Sequence, residues 1–177
     1  EQGGASDIIS LLEYDKDTLL FLMDDALYRL PLSTATPQRL FSLSEQGLEN
    51  GWLRTALVAD GNVFIGAFNG LYFLDYANNK PTLLPHLTPA MTAVENTNHS
   101  DQKHVKYLEL KHGRIWVGTV EGLYSIAITD IQQYLLQDTH YTPQQHIPRH
   151  NIWQLLWQGE QALLATEQGL YQFNPAD

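Results

Sequence analysis

A short phrase recurs four times along the chain, each time at the end of an apolar run. It reads Gly-Leu-Tyr in three copies and Ala-Leu-Tyr in the first, and its final residues are Tyr28, Tyr72, Tyr124 and Tyr171. The intervals between these tyrosines are 44, 52 and 47 residues. Repeats of about 40 to 50 residues are typical of β-propeller blades, each of which is one small sheet. The repeat therefore predicts a chain of four similar β units.

The apolar positions before each tyrosine stay in register from unit to unit, which chance similarity would not produce. Apolar or aromatic residues stand nineteen, sixteen and fourteen positions before it in all four units: Ile9, Leu53, Val105 and Ile152; Leu12, Ala56, Leu108 and Leu155; Tyr14, Val58, Leu110 and Trp157. A second apolar run, seven to nine positions before it, is bounded by turn residues, as is typical of buried strands. Each unit is therefore predicted to contain three strands. The predicted units of this single propeller-like region are about 8–32, 40–76, 104–128 and 151–174, with outer strands and loops that connect them.

Glycine and other small residues recur at corresponding positions in the last three units. Hairpin turns with positive φ are predicted between the first two strands, at Asp60-Gly61-Asn62, His112-Gly113-Arg114 and Gly159-Glu160-Gln161. Small pairs follow the second strand, at Gly66-Ala67, Gly118-Thr119 and Ala165-Thr166. Small side chains there predict a close approach of neighbouring backbones. The first unit has Leu22-Met23 instead, which indicates an atypical terminal repeat.

Composition narrows the class of protein. Hydrophobic residues make up 44% of the 177 residues and charged residues 17%, as in soluble globular domains. No apolar run approaches the roughly 18 residues of a membrane span, and residues 1–6 lack the basic and apolar regions of a signal peptide. The chain as given is therefore predicted to be neither membrane-anchored nor self-targeting. Cysteine is absent, which excludes disulfides and thiolate catalysis without deciding the compartment.

The charge balance disfavours nucleic acid as a partner. The chain has twenty acidic and ten basic residues, which gives a formal net charge of −10 at pH 7. The basic residues form no cluster in the sequence. A surface that follows phosphates needs clustered lysine and arginine. An acidic small ligand is disfavoured by the same balance, though more weakly. The dispersed acidic residues are interpreted as a solvated surface.

The third unit carries the strongest resemblance to a known family. Its Ile-Trp-Val-Gly-Thr at 115–119 and Gly-Leu-Tyr at 122–124 are similar to the signature of two-component regulator propeller repeats. The second unit resembles the same family in its acidic-polar-Gly-Leu lead-in at 44–50 and its Val-Phe-Ile-Gly-Ala at 63–67. The resemblance covers about residues 9–173. It concerns the blade itself, so it transfers no catalytic residue.

This resemblance implies a role in signalling outside the cytoplasm. The family's propellers belong to the sensor halves of bacterial hybrid histidine kinases and related proteins, where they receive a periplasmic signal and pass it through a β-sandwich and a membrane helix to a cytoplasmic output. They usually contain more than four blades. We therefore expect these units to be part of a larger propeller or a module completed by a second copy of the chain, because an open stack leaves a blade face uncovered.

Clusters of histidines suggest a metal site, but the sequence around them does not favour such a site. Three histidines fall within eleven residues: His140, His146 and His150. Two prolines interrupt this segment, so it is predicted to be an irregular loop rather than the helix that zinc-binding spacing would need. His99 and His104, in another polar stretch, are likewise interpreted as surface residues. We expect no metal and no cofactor.

Catalytic constellations are also missing from the sequence. No serine lies in a Gly-x-Ser-x-Gly elbow. The pair Asp24-Asp25 would point to opposite faces of a strand and is predicted to form a turn instead. No glycine-rich loop is followed by a phosphate-binding lysine.

Aromatic residues are the best candidates for ligand contact, because they combine large rigid surfaces with polar tips. Trp116, Trp157 and the repeat tyrosines occupy predicted core positions. Trp52 and Trp153 instead stand at strand entrances beside variable segments, and the loops that enter the blades of a propeller gather on one face. The predicted recognition set is Trp52, Arg54, Arg149, His150 and Trp153.

Three function classes follow from these observations. The resemblance, with the missing catalytic constellation, favours a non-catalytic periplasmic module that senses a small molecule or an oligosaccharide. A propeller scaffold for protein partners is a second hypothesis, and a glycan-active lyase or hydrolase a third. Stabilisation by a small ligand would separate the first from the second. Turnover of oligosaccharides would identify the third.

Overall fold

The structure consists of small antiparallel sheets that follow one another along the chain. The computed structural model describes residues 7–47, 52–83, 104–120, 122–131, 142–143 and 150–174. The first sheet contains β1 (Ile8–Asp15), β2 (Thr18–Met23), β3 (Ala26–Pro31) and β4 (Gln38–Ser42), and the second contains β5 (Leu53–Ala59), β6 (Asn62–Ala67), β7 (Gly70–Asp75) and β8 (Lys80–Leu83). The third contains β9 (Val105–Lys111), β10 (Arg114–Thr119), β11 (Leu123–Ala127) and β12 (Thr142–Pro143), and the fourth contains β13 (Ile152–Gln158), β14 (Gln161–Thr166) and β15 (Gly169–Phe173). Short 3-10 helices lie at Ser44–Gln46 and Ile128–Asp130.

Every sheet is a meander in which successive strands of the chain are hydrogen-bonded neighbours. The repeat tyrosine lies on the third strand of each sheet: Tyr28 on β3, Tyr72 on β7, Tyr124 on β11 and Tyr171 on β15. The predicted three strands are present in all four units, and an outer fourth strand is added in the first three sheets. These sheets are propeller-type blades, numbered 1 to 4 below. The predicted all-β, propeller-type fold class is confirmed.

The hairpins have the geometry that their turn residues predict. Asp60 and Gly61 have φ values of 51° and 71°, and His112 and Gly113 have φ values of 53° and 68°. Two consecutive positive φ values are typical of a type I′ turn, whose twist matches that of the strands it joins. The first two strands of blades 2 and 3 are therefore closed by tight hairpins.

Consecutive blades pack face to face through apolar clusters. Neighbouring residues on a strand point to opposite faces, so the Leu-Tyr pair of each inner blade, 2 and 3, contacts two different blades. Leu71 is buried in one apolar cluster with Val105 and Tyr124 of blade 3. Tyr72 is buried against blade 1, where its ring lies 4.9 Å from that of Phe41. Blades 3 and 4 meet in a corresponding cluster of Trp116, Leu123, Ile152, Leu155 and Leu164.

The small pairs that are predicted to follow the second strand form its last two residues instead, on β6 and β10. They allow close packing of the blades, as predicted. A Cβ atom on Gly66 would lie 2.6 Å from Cγ2 of Thr55 and 2.6 Å from Cγ1 of Val105, the first residue of the next blade. A Cβ atom on Gly118 would lie 2.9 Å from Cγ2 of Ile152, which holds the same place in blade 4. All of these distances are shorter than a normal van der Waals contact. The first strand of the following blade therefore packs directly against these glycines.

A polar contact crosses the interface between blades 3 and 4. The Glu109 carboxylate accepts hydrogen bonds at Oε2 from the Tyr107 hydroxyl at 2.5 Å and from Nε1 of Trp157 at 3.0 Å. Burial, followed by the bond to Glu109, raises the pKa of Tyr107 above its usual range, so the hydroxyl remains a donor. Hydrogen bonds to a charged acceptor are stronger than neutral ones. They hold Trp157 at the interface, where its ring lies 5.1 Å from that of Trp116, as expected for two core positions.

Blades 1 and 4, at the two ends, each expose an apolar face. The inner blades bury the corresponding faces against their neighbours. The leucine before the repeat tyrosine has exposed fractions of 0%, 0% and 2% at Leu27, Leu71 and Leu123, but 74% at Leu170 of blade 4. A shallow cavity of about 220 Å³ on that face is lined by Gln154, Leu155, Leu156, Leu163, Ala165 and Leu170. Leu11, on the outer face of blade 1, is 64% exposed. Both end faces are therefore apolar and uncovered.

Blade 1 differs from the others in the register of its first hairpin. Tyr14 is an extra residue in β1, so Leu12 pairs with Leu20, one position out of step with blade 2. The Tyr14 ring turns toward blade 2, where it stacks on Tyr76 with 3.9 Å between ring centroids, and its hydroxyl donates to the Gly61 carbonyl at 2.9 Å. The sequence alignment is thus shifted by one residue here, because a β-bulge absorbs the difference. The prediction that the first unit is atypical is confirmed.

Candidate ligand cleft at the strand starts

A bulge recurs at the start of the first strand in blades 2, 3 and 4. The extra residues are Arg54, Lys106 and Trp153, and each stands eighteen positions before its repeat tyrosine. A β-bulge twists the strand locally and re-aims the side chain of the extra residue. In blades 2, 3 and 4 the bulge therefore directs one side chain each toward a shared region.

These three side chains meet at a cleft. Together with His104 they line a cavity of about 390 Å³. His104 directly precedes β9, and its ring lies 5.5 Å from that of Phe68 in blade 2. Side chains from three consecutive blades thus form one concave surface. Clefts of this size between structural units are typical sites for small ligands.

Two indole rings hold the cations of the cleft. Cζ of Arg54 lies 5.3 Å from the ring centroid of Trp52, which is 55% exposed. Nζ of Lys106 lies 4.2 Å from the ring centroid of Trp153, which is 53% exposed. A cation over an aromatic face is attracted by the ring quadrupole. Each indole therefore positions a charged group and leaves its charge available.

The charges around the cleft affect one another. Burial, followed by the charge of Arg54, lowers the pKa of Lys106, and Glu167 acts in the opposite direction. Glu167 itself lies beside His150, with 3.8 Å between Oε1 and Nδ1. Arg54 and Lys106 are thus close enough to repel each other. The nearby acidic residue, Glu167, lies beside a histidine.

The members of the predicted recognition set have different positions. Arg54 and Trp153 line the cleft, and Trp52 contacts it through Arg54. His150 is partly buried and contacts Glu167, but it is not among the lining residues. Arg149 lies outside the described residues. The structure therefore brings three of the five predicted side chains together.

Two cleft residues, His104 and Lys106, lie outside the predicted set. Lys106 occupies the same repeat position as Arg54 and Trp153, so the alignment of units contains the signal that selects it. His104 is interpreted from the sequence as a surface residue of a polar stretch. Its place in the cleft depends on Phe68 of the preceding blade, a contact between residues distant in sequence.

Within the described residues, no group of three histidine, cysteine or acidic side chains could hold a metal ion. His140 and His146 lie outside those residues. Asp24 and Asp25 lie between β2 and β3, as the predicted turn requires. No helix of the described part is long and apolar enough to cross a bilayer.

Comparisons with known proteins identify the fold. Neither protein-family models nor curated proteins match the chain, but solved structures do. The extracellular domain of BT4673 from B. thetaiotaomicron, described as a one-component system, matches 100% of this chain with a TM-score of 0.69 and 21% identity. The extracellular domain of BT3049, a hybrid two-component system of the same organism, matches 95% with a TM-score of 0.64 and 18% identity. The chain has the fold of a part of these extracellular domains.

The resemblance to two-component regulator propellers is thereby confirmed at the level of the fold. The chain spans 22% and 20% of the lengths of the two matched proteins. A computationally designed protein, Ika4, also matches 98% of this chain over 94% of its own length, with a TM-score of 0.61 and 12% identity. Blades of this kind occur in proteins of different origin, so the ligand has to be inferred from the site rather than from the fold.

Proposed function

We propose that the chain is a non-catalytic, ligand-sensing module of a bacterial transmembrane signalling protein. The observation that carries this proposal is the cleft formed by Arg54, His104, Lys106 and Trp153 on a fold shared with extracellular domains of two-component systems. A sensor needs a concave site that binds a ligand without converting it. The cleft, shared by three blades, suits that task.

The side chains of the cleft favour binding over catalysis. Covalent and acid–base catalysis usually pair a nucleophile or an acid with a neighbouring base. Among the described residues, the cleft is lined by two cations, one imidazole and one indole, without a carboxylate or a hydroxyl. This set is better suited to holding charges and flat surfaces than to breaking a bond. We therefore favour a sensor over a glycan-active enzyme.

The module's location and partners form part of the same proposal. The matched proteins are described as extracellular domains of signalling systems, which supports a periplasmic position and an output across the membrane. Leu170 occupies the position that Leu71 uses to pack on the following blade, yet it is exposed. Large uncovered apolar faces are typical of interaction surfaces. We propose that further blades or a second copy of the chain cover the end faces, a role that also fits a scaffold.

Thermal unfolding with candidate ligands tests the sensor function. Mono- and oligosaccharides and small organic anions are added singly, and the free energy of unfolding is measured. A ligand at a hundred times its dissociation constant should raise that free energy by about 2.7 kcal/mol. Replacing Trp153 with alanine should remove most of this gain, because its indole lines the cleft. The compound should be recovered unchanged.

Leu156→Ala is the matched control for Trp153→Ala. Both residues lie on β13 and are similarly exposed, at 58% and 53%, but Leu156 does not line the cleft. The Leu156→Ala chain should keep the full stabilisation. An equal loss in both variants would contradict the cleft as the site. Conversion of the compound into a product would contradict the non-catalytic role.

A further inference from the structure

The cleft concentrates positive charge on a protein that is negative overall. The formal net charge of the chain is −10, yet Arg54 and Lys106 line the same cavity. Among the described residues, no carboxylate oxygen lies within the 4.0 Å of an ion pair from either side chain. Two neighbouring cations without such a partner repel each other. Charge arrangements that destabilise the free protein are typical of functional sites.

The packing around the cations keeps them in place without neutralising them. Lys106 lies over the indole of Trp153, and Arg54 lies near the indole of Trp52. Both contacts restrict a flexible side chain, yet they supply no negative charge. A ligand would therefore meet two positive groups that are already positioned, which lowers the entropy lost on binding.

Resting on the proposed sensor function, we infer that the cleft binds a compact ligand with at least two negatively charged groups: carboxylates, sulfates or phosphates. The Arg54 guanidinium can donate two parallel hydrogen bonds to such a group, and the Lys106 ammonium can contact a second one. A cavity of about 390 Å³ suits a small molecule rather than a long chain.

The overall acidity of the chain does not oppose this inference. Charges farther away than the Debye length, about 8 to 10 Å at physiological ionic strength, are largely screened. A ligand inside the cleft therefore experiences mainly the groups that line it, which include the cations Arg54 and Lys106 and the imidazole of His104. Glu167 is the acidic group whose charge acts on Lys106, and it lies beside His150. The local field thus differs in sign from the overall charge.

Calorimetric titration of the full chain with four probes tests this inference. The probes are succinate, sulfate, inorganic phosphate and succinamide, which is a neutral analogue of succinate, all at constant ionic strength. Succinate, which carries two charged groups, should bind, and succinamide should not. Arg54→Gln and Lys106→Gln should each weaken binding about tenfold or more, because each removes a charge-assisted contact. The tightest anion identifies which charged group the cleft prefers.

Lys111→Gln provides the matched control. Lys111 lies on the same strand as Lys106, at the end beside the hairpin turn, and the change in charge is the same. This variant should bind the anion as tightly as the original chain. The inference is wrong if no anion binds, if succinamide binds as tightly as succinate, or if Lys111→Gln weakens binding as much as Lys106→Gln. A neutral sugar that stabilises the chain through Trp153, without any anion binding, would overturn this inference and leave the sensor function standing.

Discussion

Replacing Leu71 with alanine is expected to lower the free energy of unfolding by about 2 to 5 kcal/mol, the range for a buried leucine truncated in a packed core. Leu71 is 0% exposed and belongs to the cluster that joins blade 2 to blade 3. Truncation of its side chain leaves a cavity between two sheets that are already in close contact with each other. The sheets therefore cannot easily move together to fill the cavity. Chemical denaturation followed by circular dichroism or fluorescence measures the change.

Leu170→Ala is the matched control, because it makes the same chemical change at the same repeat position. Leu170 is 74% exposed on the end face of blade 4. Its truncation should alter the free energy of unfolding of the isolated chain by no more than about 0.5 kcal/mol, as is usual for surface sites. Similar losses at Leu71 and Leu170 would show that blade 4 is covered in solution, which would contradict the exposed end face.

Replacing Gly66 with alanine is expected to lower the free energy of unfolding by about 1 to 3 kcal/mol, the usual effect of overpacking. The added methyl group would lie 2.6 Å from atoms of both Thr55 and Val105. Blade 3 would have to move away from blade 2 to admit it. Loss of a glycine also restricts the unfolded chain, which offsets the effect by a few tenths to about 1 kcal/mol. Thermal or chemical unfolding measures the net loss.

Ala165→Val tests whether the following blade causes this effect. Ala165 holds the position of Gly66 in blade 4, where the residue lines the open cavity of the end face instead of meeting another strand. The larger side chain should therefore change the free energy of unfolding by no more than about 0.5 kcal/mol. A tolerated Gly66→Ala change, with no loss of stability, would mean that blades 2 and 3 are less closely packed than the structure shows.

The blades are predictable from the sequence because the repeat supplies four aligned copies of one pattern. Tight turns, apolar runs and the Leu-Tyr phrase each occur in register, and local chemistry decides them. The register of β1 is different, because the bulge at Tyr14 depends on a stacking contact with Tyr76 in the next blade. Contacts between blades are not encoded in a local pattern, so sequence alone does not locate this shift.

The cleft is predictable in part for the same reason. Arg54 and Trp153 follow from their place at the strand starts, and Lys106 shares that place in the repeat. His104 depends on a neighbouring blade, and the overall negative charge conceals a local excess of positive charge. Net charge is a sum over the whole surface, whereas binding depends on the few groups within reach of the ligand.

Indole NMR signals test the central claim, that the cleft at the strand starts is the ligand site, most directly. The chain has four tryptophans, two beside the cleft and two, Trp116 and Trp157, in the interface between blades 3 and 4. Addition of succinate, or of whichever tested compound stabilises the chain, should shift the signal of Trp153 most and that of Trp52 next, and leave the other two unchanged. Phenylalanine variants assign the signals. Four unchanged signals, or shifts confined to Trp116 and Trp157, would contradict the claim.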